Sequence, residues 1–319
     1  MTDSGLPPDV GGTVVTVGTF DGVHRGHRAV LEEIQVRAGR RGLRSVLVTF
    51  DRHPLTVVRP EDSPDLLTTP DEKKAILAQS GLDYVAFLPF TPALSRYAPE
   101  QFIRLVLLDR FRVTELVIGW DHGFGHSRSG SIDTARRLGR DLGFAVDVVP
   151  AVSSGQRTVS STSIRSSLAE GDVEDAWRQL GRPYSFRGPV VHGLGRGRDL
   201  GFPTANIRPP AGRKLLPKPG IYAVRASLRN EIRDGLLHLG PRPTFVGSPP
   251  SIELYLLAFD GDIYGEDVQV DFLTRLRDVE PFATTADLID QMRRDRERAL
   301  EYFAAQGLQD QLSELFFSA

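Results

Sequence analysis

Two textures alternate through the first 150 residues, and that alternation leaves few folds open. Near-continuous apolar runs stand at Thr13–Gly18 (TVVTVG), Arg44–Phe50 (RSVLVTF), Asp83–Phe90 (DYVAFLPF), Glu115–Trp120 (ELVIGW) and Phe144–Pro150 (FAVDVVP). Between them lie HRAVLEEIQVRAGR, PDEKKAILAQSG, PEQFIRLVLLDRF and SIDTARRLGRDLG. These carry helix punctuation: Pro70 with Asp71 and Glu72 in a first turn, and Gly81 or Gly143 just past an end. Strands apolar on both faces are covered on both faces. Five of them spaced by helices predict a parallel sheet with helices on either side. Ligands of such sheets bind beyond the carboxyl ends of the strands.

The texture changes at GRPYSFRGP, after two short helical pieces, SIRSSLAE and VEDAWRQL. Six strand-like runs follow: YSFRGPVVHG, FPTANI, GIYAVRASL, GLLHLG, SIELYLLAF and DVQVDFLTRL, with a turn at Phe259–Asp262 and an amphipathic helix from about Thr285 to Phe303. They predict a small six-stranded antiparallel barrel with a C-terminal helix. A length of 319 residues suits two domains, and the boundary is placed near Gly181, giving domains 1–180 and 181–319.

With no cysteine, the chain has no disulfide, thiolate nucleophile or cysteine-bound zinc. A formal charge of −2 does not suit a general nucleic-acid binder. The run MRRDRERALEY alternates in sign as a solvated helix face does. No apolar run approaches the roughly 20 residues of a membrane span. The opening MTDSGLPPDVGG is acidic and turn-rich, unlike a secretory leader. The expectation is a cytoplasmic protein, monomeric or weakly self-associating, with no nucleic-acid or membrane partner.

At the first strand end, Gly18 and Gly22 flank Thr19, Phe20 and Asp21, and a helix begins near Gly26 or His27. Free N–H groups at such a helix start, beside flanking glycines, are a ready phosphate seat. His24 and His27 would add neutral or protonated donors beside them. On residues alone, two exposed histidines on a turn remain an alternative. Zinc is a poor one, because no further ligand cluster is close in sequence. GTFDGVHRGH resembles the strand-loop-helix signature of the HxGH nucleotidylyltransferases, specifically that of the bacterial bifunctional flavokinase/FAD synthetases. TFDRHP (Thr49–Pro54), GWDHGFGHSRSGS (Gly119–Ser131) and VSSTSIR (Val159–Arg165) are similar to three further elements of that family, in order. The resemblance implies a Rossmann-like first domain. It assigns His24 and His27 to the triphosphate of ATP, with Ser160, Ser161 and Thr162 in a second nucleotide loop and Arg165 on the β- and γ-phosphates. His53, Asp121, Phe124 and Arg128 fall on the flavin side. Without the resemblance, SSTS reads as a plain N-cap loop.

VHGLGRGRDLGFPTANI (Val191–Ile207) holds glycines at 193, 195, 197 and 201, with Arg196 and Arg198 between them. Glycines let backbone approach a phosphate closely, and arginines pair with it. If FPTAN enters a strand, Thr204 and Asn206 share one face, two hard oxygens suited to Mg²⁺. On composition alone, a glycine-rich turn before an edge strand reads equally well. GRGRDLGFPTAN resembles the flavokinase signature. HLGPRPTF (His238–Phe245), whose Arg242 the resemblance puts on the flavin side, and IELYLLAFDGDIYG (Ile252–Gly265) are similar to further elements of it. In SIELYLLAF, Ile252, Leu254 and Leu256 make one face and Glu253 projects from the other beside Ser251 and Tyr255. Placed in the family motif, Glu253 is the expected base for a ribityl 5′-hydroxyl; without it, a carboxylate on a solvated face is the simpler reading.

The resemblance spans about Val14 to Phe303. It implies one polypeptide that phosphorylates riboflavin to FMN and adenylylates FMN to FAD, each with ATP and Mg²⁺. The chain departs from the family pattern at Arg52, where proline is usual, at His238 (asparagine), Tyr255 (histidine) and Val279 (glutamate). Two alternatives stay open: a nucleotidylyltransferase for another small phosphate with a non-catalytic flavin-binding barrel, and a non-catalytic nucleotide-responsive flavoprotein.

Overall fold

A computed structural model of the chain describes residues 5–120, 123, 125, 130–155, 157–193, 197, 200–210, 212–229, 231–244 and 250–317, with side chains to Gly307. Contacts divide it into two compact units, Met1–Ser163 and Ile164–Ala319.

The first unit runs β1 (Thr13–Val17), α1 (Arg25–Arg41), β2 (Arg44–Phe50), α2 (Leu55–Val58), α3 (Pro70–Ala78), β3 (Tyr84–Leu88), α4 (Pro99–Phe102), β4 (Val113–Gly119), α5 (Ile132–Leu142) and β5 (Ala145–Val149). A short hairpin follows, β6 (Ser153–Ser154) with β7 (Arg157–Thr158). The five long strands are parallel in the order β3-β2-β1-β4-β5. Neighbouring residues of β1 serve opposite cores: Val14 packs with Val30, Ile34 and Leu77, while Val15 packs with Ile103, Val106 and Leu138. Both faces are covered, which explains the unbroken apolar runs. Strand order reverses between β1 and β4, so the ligand crevice of this sheet type opens at their carboxyl ends. One element departs from expectation. The helix read across PEQFIRLVLLDRF is α-helical only to Phe102 and widens to a π-turn over Ile103–Leu108. Ile103, Val106 and Leu107 of that turn, and Phe111 just after it, lie in the core.

α6 (Ser161–Glu170) straddles the division, and α7 (Val173–Leu180) leads into the second unit. There β8 (Tyr184–Val191), β9 (Ala205–Ile207), β10 (Gly220–Leu228), β11 (Glu231–Gly240), β12 (Ser251–Leu256) and β13 (Asp267–Arg277) close into an antiparallel barrel ordered β10-β11-β12-β9-β8-β13. Tyr222, Phe186 and Phe272 are fully buried and meet ring to ring, so side chains fill the interior. A ligand must therefore bind outside the barrel wall. The final helix, α8, extends from Thr285 to Phe317 rather than stopping near Phe303, and Gly307 does not end it. Ala299 of α8 packs on Ile221, Ala223 and Leu236 of the outer wall. Arg277 of β13 holds the buried Asp295 carboxylate of α8 through Nε at 2.9 and 3.0 Å and Nη2 at 2.7 Å.

Candidate functional site

In the first unit the site is a loop, Gly18 to His24, between the end of β1 and the start of α1. His24 is the N-cap residue of α1, so the helix begins at Arg25, earlier than expected. Its Nδ1 accepts the His27 N–H at 3.2 Å, doing what a serine or aspartate oxygen does at most helix starts. A spacing of three is the distance from N-cap to N3, which is why these histidines lie three apart. The rings stack with centroids 3.7 Å apart, and Phe20 stacks on His27 at 4.5 Å. Because Nδ1 of His24 accepts, its neutral ring carries the proton on Nε2. His27 Nδ1 is buried with no hydrogen-bond partner among the described residues. A lone pair costs less there than an orphaned N–H, so its proton also sits on Nε2. Burial, then His24 and Lys73, push the His27 imidazole well below its ordinary value, which keeps it neutral.

The loop is held in a shape unusual for its residues. Phe20 (φ 51°) and Val23 (φ 40°) are left-handed, a strained conformation for a bulky or β-branched side chain. Asp21 anchors the loop, its carboxylate accepting from Leu67 N at 3.1 Å, Thr68 N at 3.0 Å and Thr68 Oγ1 at 3.2 Å. Gly22 N donates to Thr68 Oγ1 at 3.1 Å. The Val159–Arg165 stretch joins the same loop: Ser161 Oγ donates to the Asp21 carbonyl at 3.0 Å, and Ser160 Oγ accepts from Ser163 N at 3.1 Å. Arg165 stands on α6, past the division at Ser163. His53 lies just before α2, its Nδ1 accepting from Leu55 N at 3.2 Å. Asp121, Phe124 and Arg128 lie outside the described residues.

Sequence reasoning missed Lys73. It sits on α3, nearly fully buried, and donates to the carbonyls of Phe50 at 2.7 Å and Thr19 at 3.2 Å. Burial lowers its amine to about 8, against the opposing pull of Asp21 and Asp51. A signal was available: Lys73 and Leu77 share the inward face of α3, so a lysine stands where the helix pattern calls for an apolar residue.

In the second unit, β-ladder register puts Asn206 opposite Glu253 and Glu253 opposite His238, three side chains in a row on the outer wall. Glu253 projects outward and the even-numbered β12 residues inward, as the alternation predicts. Its carboxylate accepts from Arg242 Nε at 2.5 Å, Ser251 Oγ at 2.8 Å and Thr204 Oγ1 at 3.2 Å. Arg242 Nη2 also donates to Asn206 Oδ1 at 3.1 Å. Burial raises the Glu253 carboxyl, but the hydrogen bonds from Arg242 and Ser251 more than offset this and leave it below its ordinary value. β9 begins at Ala205, so Thr204 immediately precedes the strand rather than lying within it. Glycine is required at two places here. A Cβ on Gly193 would lie 2.0 Å from Asn206 Nδ2, and one on Gly197 would lie 2.4 Å from the Phe202 carbonyl and 2.7 Å from Thr204 Oγ1. These glycines thus make room for the two oxygen-bearing side chains. Gly195, Arg196 and Arg198 lie outside the described residues. A cavity of about 170 Å³ opens above the row, bordered by Phe202, Tyr255, Phe282 and Met292.

These two constructions, a histidine-capped helix at the crevice of a parallel sheet and an oxygen-rich pocket on the wall of a closed barrel, define a two-unit nucleotide-handling transferase. Residues 6–163 match the family model described as FAD synthetase, and residues 180–303 match the one described as riboflavin kinase. The chain is 36% identical over 293 residues to the bifunctional riboflavin kinase/FMN adenylyltransferase of Escherichia coli (strain K12), covering 92% of this chain and 93% of that one. It is 35% identical to the protein of the same name from Listeria monocytogenes, covering 91% and 92% of the two chains. A crystal structure described as a macrolide-efflux protein from Streptococcus pneumoniae superposes with a TM-score of 0.82 at 30% identity, over 92% of this chain and 95% of that one. The efflux role belongs to that description; here no described helix is long and apolar enough to cross a membrane. The chain belongs to the family of bifunctional riboflavin kinase/FMN adenylyltransferases.

Proposed function

We propose that this chain makes FAD from riboflavin in two steps, phosphorylating riboflavin at the barrel pocket and adenylylating the resulting FMN at the histidine loop. The observation that carries this reading is that both sites are built in one chain whose matched relatives bear both activities in their name. Functionally, residues 1–180 serve adenylyl transfer and 181–319 serve the kinase.

The two steps ask different things of their residues. The phosphate of FMN reaches the first site already anionic, so attack on the α-phosphate of ATP needs no strong base. It needs alignment and donors for the charge on the phosphoryl oxygens and departing pyrophosphate. The Nε2–H groups of His24 and His27 and the N–H groups at the start of α1 supply these, with Gly18 to Gly22, Gly26 and Ser160 to Thr162 shaping the seat. Arg165 grips the β- and γ-phosphates, and His53, Asp121, Phe124 and Arg128 hold the flavin.

At the barrel the nucleophile is a neutral alcohol, the ribityl 5′-hydroxyl, which loses its proton as it attacks the γ-phosphate. Glu253 accepts that proton once the guanidinium of Arg242 turns from it toward substrate. Gly193, Gly195, Arg196, Gly197 and Arg198 cradle the phosphates. The Mg²⁺ that accompanies ATP is held by Thr204 and Asn206. The oxygens there fit a cation, since the Arg242 guanidinium already lies against Asn206 Oδ1 and Glu253. When bound, Mg²⁺ neutralises charge on the transferring phosphate.

The test supplies riboflavin, ATP and Mg²⁺ to purified protein and separates the flavins over time. FMN should appear first and FAD after it. His27→Ala should stop FAD formation and spare FMN formation. Glu253→Gln should stop FMN formation yet convert supplied FMN to FAD. Loss of both activities from either change would contradict two independent sites.

A further inference from the structure

We propose that Lys73 is a positioning residue of the adenylyl-transfer site, whose buried ammonium fixes the Thr19–Phe20 peptide so that the Phe20 N–H is aimed at the nucleotide phosphates. The inference rests on the reading of the histidine loop as that site.

A trans peptide points its carbonyl and its following N–H in opposite directions. The Thr19 carbonyl accepts from Lys73 Nζ at 3.2 Å and from Thr49 Oγ1 at 3.1 Å, both beneath the loop. The Phe20 N–H therefore points away from Lys73, and no described group accepts from it. Phe20 itself is left-handed, a strained state that persists only where surroundings over-determine it. Lys73 is placed to do this because the Phe50 carbonyl at the end of β2 anchors the same ammonium at 2.7 Å. One cation thus joins the ends of β1 and β2 across the mouth of the sheet.

Burying a lysine for scaffolding alone is costly, and an apolar residue would fill the inward face of α3 at less expense. Charge gives Lys73 a second effect, disfavouring protonation of His27 so that this imidazole stays neutral. The groups facing the ammonium are Asp21 from the loop, Asp51 from the end of β2, His27 from α1, and the ring of Phe87 on β3 at 5.7 Å. Arg52 pairs with Asp51 at 3.5 Å. The ammonium is protonated below about 8 and loses its proton above that. FAD formation should therefore be fullest below that pH and fall as pH rises through it.

The experiment uses the full chain and compares wild type with Lys73→Met and Lys73→Arg. It measures FAD formation from FMN across pH 6 to 10 (roughly the range around the amine's value) and FMN formation from riboflavin as a control for folding. It also follows the Phe20 amide signal by NMR on adding a non-hydrolysable ATP analogue. Lys73→Met should lower kcat for FAD formation about 100-fold with little change in KM for FMN. It should also lose the alkaline fall and abolish the Phe20 response, while FMN formation is unchanged. Lys73→Arg, always charged, should recover much of the rate and show no alkaline fall. Wild-type turnover in Lys73→Met, or an alkaline fall that persists in it, overturns the assignment to Lys73. A wild-type protein that forms no FAD at any pH overturns the functional reading itself, a distinct result.

Discussion

Glu253 accepts hydrogen bonds from Arg242, Ser251 and Thr204, and a carboxylate so surrounded gives up little of its charge. Its depressed carboxyl fixes the sign of a pH effect. Stability from the Arg242 pair is fully present above the ordinary glutamate range and is lost as pH falls through the lowered value. Arg242→Met should therefore destabilise the barrel by about 2 kcal/mol at neutral pH. The loss should shrink below about pH 4. Hydrogen exchange of the β11 and β12 amides reads this directly, and a loss of equal size at both pH values would refute the pairing. Glu253 was legible as an outward carboxylate from strand alternation, and as the expected base only from the family motif. Its clamp was not: the resemblance gives Arg242 to flavin, and only the folded register brings it onto Glu253 and Asn206. Lys73 was hidden for a similar reason, since its partner Thr19 lies 54 residues away and its own segment reads as helix punctuation.

At the scale of elements, strands were easiest to read where burial is one-sided or complete and hardest where charges line them. β2 and β10 match their expected spans, whereas the first residues of β11, Glu231 to Asp234, were not read as strand. Their charges face outward in the hairpin with β10, where Asp234 meets Arg225 at 3.1 Å, so no apolar alternation marks them. α8 shows how one pair can seat a long helix. Asp295 is almost wholly buried, and Asp295→Asn would leave the Arg277 guanidinium only the more distant Glu280 carboxylate at 3.4 Å. The expected cost is about 3 kcal/mol. It should appear as faster hydrogen exchange along α8 and, if riboflavin occupies the cavity as proposed, a weaker grip on it, since α8 borders that cavity through Leu288 and Met292. Unchanged exchange in α8 would show that apolar packing on Ile221 and Leu236 suffices.

Under the proposed function the two steps use separate sets of residues, so FMN need only diffuse from one site to the other. His27→Ala and Glu253→Gln chains, each unable to turn riboflavin into FAD, should together restore FAD formation when mixed. A mixture that accumulates FMN without FAD would mean that FMN must be handed over within a single chain. That the chain holds two units was legible in the change of periodicity near GRPYSFRGP, although contacts divide it at Ser163 rather than near Gly181. The face on which the barrel binds its ligand was not, since it depends on three aromatic rings filling the interior. The ring of strands running from β10 round to β13 and back has a consequence for assembly: among the described residues, each barrel strand has a hydrogen-bonded neighbour on either side. Among the described residues, a partner seeking to dock by lending a strand would find free flanks at β3 and β5 of the parallel sheet and at the short β6–β7 hairpin. Association through the barrel would rest mainly on side chains.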